Sequence, residues 1–145
     1  MDETEFIWIH SEKDERTRVG LAYEAATSDP YTATLRVRVE TDRLEYEGLM
    51  LIGANADGLA AFFNGLVEDW RGWDGERQWN ALEHGMSVYA AHRGRQIELA
   101  FVVRRDYKPD AWELRVPVLV APGETLTRFA SSLARSFPNE LPADR

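Results

Sequence analysis

The sequence predicts a two-layer α+β fold: a mainly antiparallel sheet of about six strands with two helices packed on one face. Three observations carry this prediction. Several stretches alternate apolar and polar residues with period two, the pattern of a half-buried strand. Two stretches repeat apolar residues in steps of three and four, the stripe of an amphipathic helix. The connections between alternating stretches are short, and short connections make antiparallel hairpins. The length fits a single domain over residues 1–145, large enough to bury a core without staples.

The elements follow in chain order. Phe6 to Ile9, with Trp8, reads as a short strand. SEKDERTR is a charged loop, and VGLAYEA a second strand. Ser28-Asp29-Pro30 is a turn, because Pro fixes φ and Asp caps its own backbone. From Tyr31 to Glu40, Leu35, Val37 and Val39 share one face, against Thr34, Arg36, Arg38 and Glu40. Thr41-Asp42 turns the chain into a partner strand, Leu44 to Ile52, where Gly48 suggests a bulge.

A helix follows. Asp57 is placed as its N-cap, accepting from the amides of the first turn. The stripe runs Leu59, Phe62, Phe63, Leu66, Val67 and Trp70, and it predicts that Trp70 is buried. Gly65 costs about 1 kcal/mol in a helix interior, which suggests a closely packed neighbour. Gly72 suits a C-terminal stop. Trp73 to Trp79 reads as loop, with Asp74-Gly75 a turn pair.

Strands return after Glu83-His84-Gly85. Met86, Val88 and Ala90 form one inward set; Ile97, Leu99, Phe101 and Val103 form the next, across an Arg93-Gly94 turn. Asp106 to Asp110, with Pro109, turns into Trp112 to Val120. Pro117 lacks a ladder donor, so that strand is an edge or carries a bulge. Glu124-Thr125 opens a second helix as acidic start and cap, with Leu126, Phe129, Ala130, Leu133 and Phe137 as its stripe and Pro138 as its stop. Residues 139–145, NELPADR, read as a flexible tail.

Composition excludes several classes. There is no cysteine, hence no disulfide framework and no cysteine-based metal cluster, which fits a reducing compartment. No apolar run reaches the roughly 18 residues of a membrane span. The start, MDETEFIWIH, is acidic and unlike a secretory signal, so the reading is a cytoplasmic protein. A formal charge of -8 and a pI near 4.9 disfavour nucleic acid and anionic membranes. They suit a basic protein partner. Arg93, Arg95, Arg104 and Arg105 flank one hairpin, either as a local basic face or as ordinary turn charges.

The stretch Asp57-Gly58-Leu59, Phe62-Phe63, Leu66, then Trp70-Arg71-Gly72-Trp73-Asp74-Gly75-Glu76 and Trp79 resembles the domain of unknown function 6228 family. Members look like single domains of this length with a W-x-G-W-x-G-x-x-x-W signature. The resemblance covers about the last two thirds of the chain, and residues 1–30 carry none of it. The family hairpin tends towards Gly-His, where this chain has Gly94-Arg95. The resemblance brings no activity with it. Its layout is similar to that of some small immunity proteins of bacterial toxin systems, an analogy of architecture.

Candidate site residues gather after the first helix: Trp73, Asp74, Glu76, Trp79, Glu83 and His84. Trp70, Trp73 and Trp79 offer an aromatic shelf for a partner, since Trp supplies apolar area with one polar handle; their structural role is to cover the sheet end. The acidic residues Glu68, Asp69, Asp74, Glu76 and Glu83 suit acid–base work or a cation, or simply a solvated face. His10, His84 and His92 lack metal-binding spacing, although His84 and His92 could meet at one sheet end. No nucleophile elbow, P-loop or dinucleotide motif is present, so no catalytic residue, metal or cofactor is assigned.

The leading reading is a non-enzymatic protein-binding domain, with an immunity-like role as one form of it. The alternative is a small-molecule-binding protein or small enzyme using the Trp-rich loop. A third is a homodimer through an exposed strand, away from the Pro117 edge.

Overall fold

The structure, a computed structural model, describes residues 5–25, 28–105, 108 and 110–138. The 139–145 tail and most of the Asp106–Asp110 turn lie outside the described residues. The described residues form eight strands and two α-helices. β1 (Ile7–His10), β2 (Arg18–Ala25), β3 (Thr32–Glu40) and β4 (Glu45–Gly53) form one antiparallel sheet in chain order. A short 3-10 turn (Ala56–Gly58) leads into α1 (Leu59–Glu68). β5 (Glu76–Asn80), β6 (Met86–Arg93), β7 (Gln96–Arg104) and β8 (Glu113–Val120) form a second antiparallel sheet in chain order, followed by α2 (Glu124–Ser136).

The single six-stranded sheet is therefore corrected to two four-stranded meanders. The α+β class and the antiparallel pairing stand. The break falls where α1 carries the chain out of β4, so β4 and β5 never pair. β5 is the strand missing from the sequence reading. Its residues Glu76-Arg77-Gln78-Trp79-Asn80 show little apolar alternation, and only Trp79 is buried. Pairing with β6, not its own pattern, makes it a strand.

Elsewhere the alternation reads true. Ala33, Leu35, Val37 and Val39 of β3 are all buried, with half-buried neighbours between them. Leu59, Phe63 and Leu66 of α1 join Leu126, Phe129 and Leu133 of α2 in one core that spans both sheets. Phe63 is its hub: it stacks on Phe101 of β7 and meets Phe129 of α2 edge-on, at centroid distances of 6.3 and 5.0 Å. Phe137 closes the far end against Tyr23 of β2.

Pro117 lies on an edge strand, in register with Ala100 and without a bulge. The β3–β4 register is likewise unbroken through Gly48. Gly48 marks no bulge; a Cβ there would stand 2.1 Å from the Tyr46 hydroxyl, so the glycine makes room for that ring. The two sheets meet where β1 ends. The Glu12 amide donates to the Leu119 carbonyl of β8 at 2.8 Å, and the Leu119 amide donates to Ser11 Oγ at 3.2 Å. Among the described residues no helix is long and apolar enough to cross a membrane.

Candidate functional site

α1 stops at Glu68, where the Asp69 amide makes the last turn's bond to the Gly65 carbonyl, and the Gly72 amide then bonds Asp69 O. The loop beyond is strapped across β6. His92 Nε2 donates to the Trp70 carbonyl at 2.9 Å, and Gly72 presses on the same imidazole, where a Cβ would stand 3.4 Å from Nδ1. Trp73 Nε1 donates to the Ala90 carbonyl at 3.3 Å, and its ring stands edge-on to His92. The Arg77 guanidinium lies 4.7 Å from the Trp73 ring centroid and pairs with Asp69 at 2.8 Å. Trp73 is thus clasped between a histidine and an arginine.

Trp79 is 5% exposed, and its Nε1 donates to the Asp57 carbonyl at 2.9 Å. Trp70 is the exception. Its predicted burial is overturned: α1 ends before it, so the stripe no longer holds it inward, and it is 53% exposed. It borders a hollow of about 180 Å³ between Val67, Pro122, Leu126 and Thr127. The Arg71 guanidinium sits 5.2 Å from its ring centroid.

Asp57 is not the helix N-cap. Ala56, Asp57 and Gly58 all have positive φ, at 55°, 51° and 75°, and left-handed Gly58 is the cap residue, with no side-chain bond. The Asp57 carboxylate faces the sheets instead. Oδ1 accepts from the Gly53 amide at 3.1 Å and Oδ2 from the Leu82 amide at 2.7 Å. One side chain therefore ties the end of β4 to the turn after β5. α2 also lacks the expected side-chain cap: Gly123 caps it, although Glu124 does place acid in the first turn. Gly65 has no close neighbour, since a Cβ there would meet nothing within 4 Å.

The six candidate residues fall into two groups. Trp73, Asp74 and Glu76 lie where β5 begins, opposite Ala91. Glu83 and His84 lie in the turn at its other end, beyond the Asn80–Ser87 pair, and both are exposed. Buried Trp79 lies between. His84 and His92 sit at opposite ends of β6 and do not meet. The four arginines also separate. Arg93 and Arg95 flank the β6–β7 turn, with Arg93 paired to Glu98, while Arg104 pairs with Glu113 at the far end of β7. There Arg104 also donates to the His84 carbonyl and to Ser87 Oγ, and Ser87 in turn donates to Asn80 Oδ1.

Among the described residues no three His, Asp or Glu side chains stand together as a metal site. Burial pushes the Tyr23 and Tyr46 hydroxyls above the ordinary 10.0. Tyr23 donates to the Ala54 carbonyl at 2.8 Å, and Tyr46 packs edge-on to Trp112. Sequence reasoning missed the exposed Trp70 and the double-bonded Asp57. Gly72 was read as the helix stop, but the helix ends at Glu68, four residues before it, which puts Trp70 outside the stripe.

A model of the family of unknown function DUF6228 matches residues 10–140. The chain belongs to that family. The DUF6228 match starts at His10, the last residue of β1, so it takes in β2 as well as the tryptophan signature, although residues 1–30 carried none of the resemblance. In this DUF6228 chain, two of the signature tryptophans are structural: Trp73 braces the loop on β6 and Trp79 braces it on Asp57. No curated protein and no solved structure matches the chain at a significant level.

Proposed function

We propose that this DUF6228 domain is a non-enzymatic protein-binding module whose contact face is centred on Trp70. The observation that carries the reading is the exposure of that indole, 53%, on a loop otherwise braced by hydrogen bonds and ring contacts. A rigid, solvent-facing Trp beside an apolar hollow and an arginine has the composition of an interface hot spot. The backbone beneath the ring is held by the bond between His92 and the Trp70 carbonyl, so binding has less of the loop to order. Glu68, Asp74 and Glu76, close to it in sequence, are exposed, and the chain carries -8, so a basic partner is favoured and its encounter accelerated. An immunity role, in which the bound partner is a toxin, is one form of this reading. The separation of the polar candidates to two ends of β5 weighs against a catalytic centre there.

The test compares the wild-type chain, Trp70→Ala and the distant control Leu49→Ala as baits in quantitative affinity purification. A basic protein enriched by wild type and by Leu49→Ala, but lost with Trp70→Ala, is the expected result. Equal recovery by all three baits removes Trp70 from the contact face.

A further inference from the structure

The free edge of β1 forms one wall of a groove whose other wall is α2. The groove encloses about 360 Å³ between Phe6, Trp8 and His10 on one side and Arg128, Phe129 and Ser132 on the other. The hydrogen-bond parity of β1 fixes what faces into it. The Ser11 amide bonds the Thr17 carbonyl, so Ile7, Ile9 and Ser11 turn their backbone groups towards β2. Trp8, His10 and Glu12 turn theirs the other way. Glu12 has a partner on that side, the Leu119 carbonyl of β8. Trp8 and His10 have none among the described residues.

This side of the chain therefore makes one backbone bond, from Glu12 across to β8, and has no backbone partner among the described residues at Trp8 and His10. The strand is also held stiff. The Trp8 ring lies on Gly20, where a Cβ would come within 2.9 Å of it, and the Arg18 guanidinium stacks 3.7 Å from the ring centroid. A flat, rigid edge with paired donors and acceptors on offer is what an extended polypeptide adds to.

The geometry points to strand addition: an extended, basic segment of another protein pairs with Trp8 and His10 of β1 in the groove against α2. This surface is separate from the Trp70 loop and does not depend on it. The groove is closed at the Glu12 end by the β8–α2 turn, where Glu12 Oε1 accepts from the Ala121 amide at 3.2 Å and sets a carboxylate at the groove's end. Inside the groove Arg128 is engaged by Glu124. With -8 on the whole chain, the charge complement is a lysine, an arginine or a free amino terminus. At a rise of about 3.3 Å per residue, β1 offers edge for about four residues.

The probe is a phage-displayed library of random heptapeptides selected on the full chain. Selected peptides are expected to be rich in Lys and Arg and to weaken with salt. In amide NMR they shift Trp8 and His10. Two variants separate main-chain from side-chain recognition. His10→Pro deletes the outward donor while leaving the β1–β2 ladder its bonds, and binding falls at least tenfold. His10→Ala keeps the donor and binds within about threefold of wild type. An unchanged thermal midpoint certifies His10→Pro as folded; Trp8→Pro serves as the second donor deletion if it is not. Several results would overturn the proposal. They are failure to select any peptide, equal binding by both His10 variants, and shifts centred on Trp70. Protection of the Trp8 and His10 amides in the free monomer would mean the edge is filled from within the chain. A dimer that dissociates with His10→Pro would make the occupant a second copy.

Discussion

At the scale of single residues, Gly65, Asp57 and the two tyrosines Tyr23 and Tyr46 each have a measurable consequence. Gly65 occupies a helix interior with open space where its Cβ would be. Gly65→Ala is expected to stabilise the domain by about 1 kcal/mol in urea denaturation; a loss would reveal a contact there. Asp57 carries a left-handed backbone, unusual outside glycine, and offsets that strain with its two carboxylate bonds. Asp57→Ala is expected to cost about 2 kcal/mol, and more than Asp57→Asn, which keeps an acceptor and tolerates the left-handed region. The tyrosines set an alkaline limit. Burial raises both hydroxyl pKa values, so folding holds their protons more tightly than the unfolded chain does. That stabilisation is complete below the unfolded value of 10.0 and is lost as pH rises through the folded one. The urea midpoint should therefore fall above pH 10.0, and fall less steeply in Tyr23→Phe, which also loses about 1 kcal/mol at neutral pH with its bond to Ala54.

At the scale of elements, legibility follows from how much of an element's stability its own pattern supplies. β3 was plain, because Leu35, Val37 and Val39 alternate with charged residues and burial follows suit. α2 was plain too, with its stripe intact to Phe137. β5 was hidden, since Glu76-Arg77-Gln78 has no inward-facing apolar residue before Trp79 and the strand depends on β6 for its bonds. The end of α1 was overrun by a periodicity that continues to Trp70 although the helix stops at Glu68. Periodicity reports what a helix would bury if it went on; it carries no stop signal of its own. The candidate site inherited that error. Trp73, Asp74 and Glu76 were found by composition, but the clasp on Trp73 draws on His92 and on the Ala90 carbonyl, the latter 17 positions away, as well as on nearby Arg77. Nothing local announces such a bond. Gly48 is the local counterpart: its reason is a ring two residues away on its own strand, not a bulge.

At the scale of the whole molecule, two sheets and two helices share one core, and Phe63 is its centre, touching β7 and α2 at once. Phe63→Ala is expected to cost about 4 kcal/mol. Tryptophan fluorescence and far-UV circular dichroism should still lose signal in one shared transition; two transitions would mean that the sheets unfold separately. The division of strands has a further consequence. Among the described residues every strand pairs only with its neighbours in sequence, and the boundary between the sheets falls in the α1 segment and the exposed Asp74-Gly75 turn after it. A chain cut at that turn leaves two pieces, each with a complete meander and one helix, and each with its apolar face uncovered. α2 of the second piece has its docking partners, α1 and β1, on the first. Neither piece satisfies itself, and the two satisfy one another. The domain is in effect a pair of complementary halves that happen to be covalently joined, suited to reassembly as a split reporter when both fragments are present.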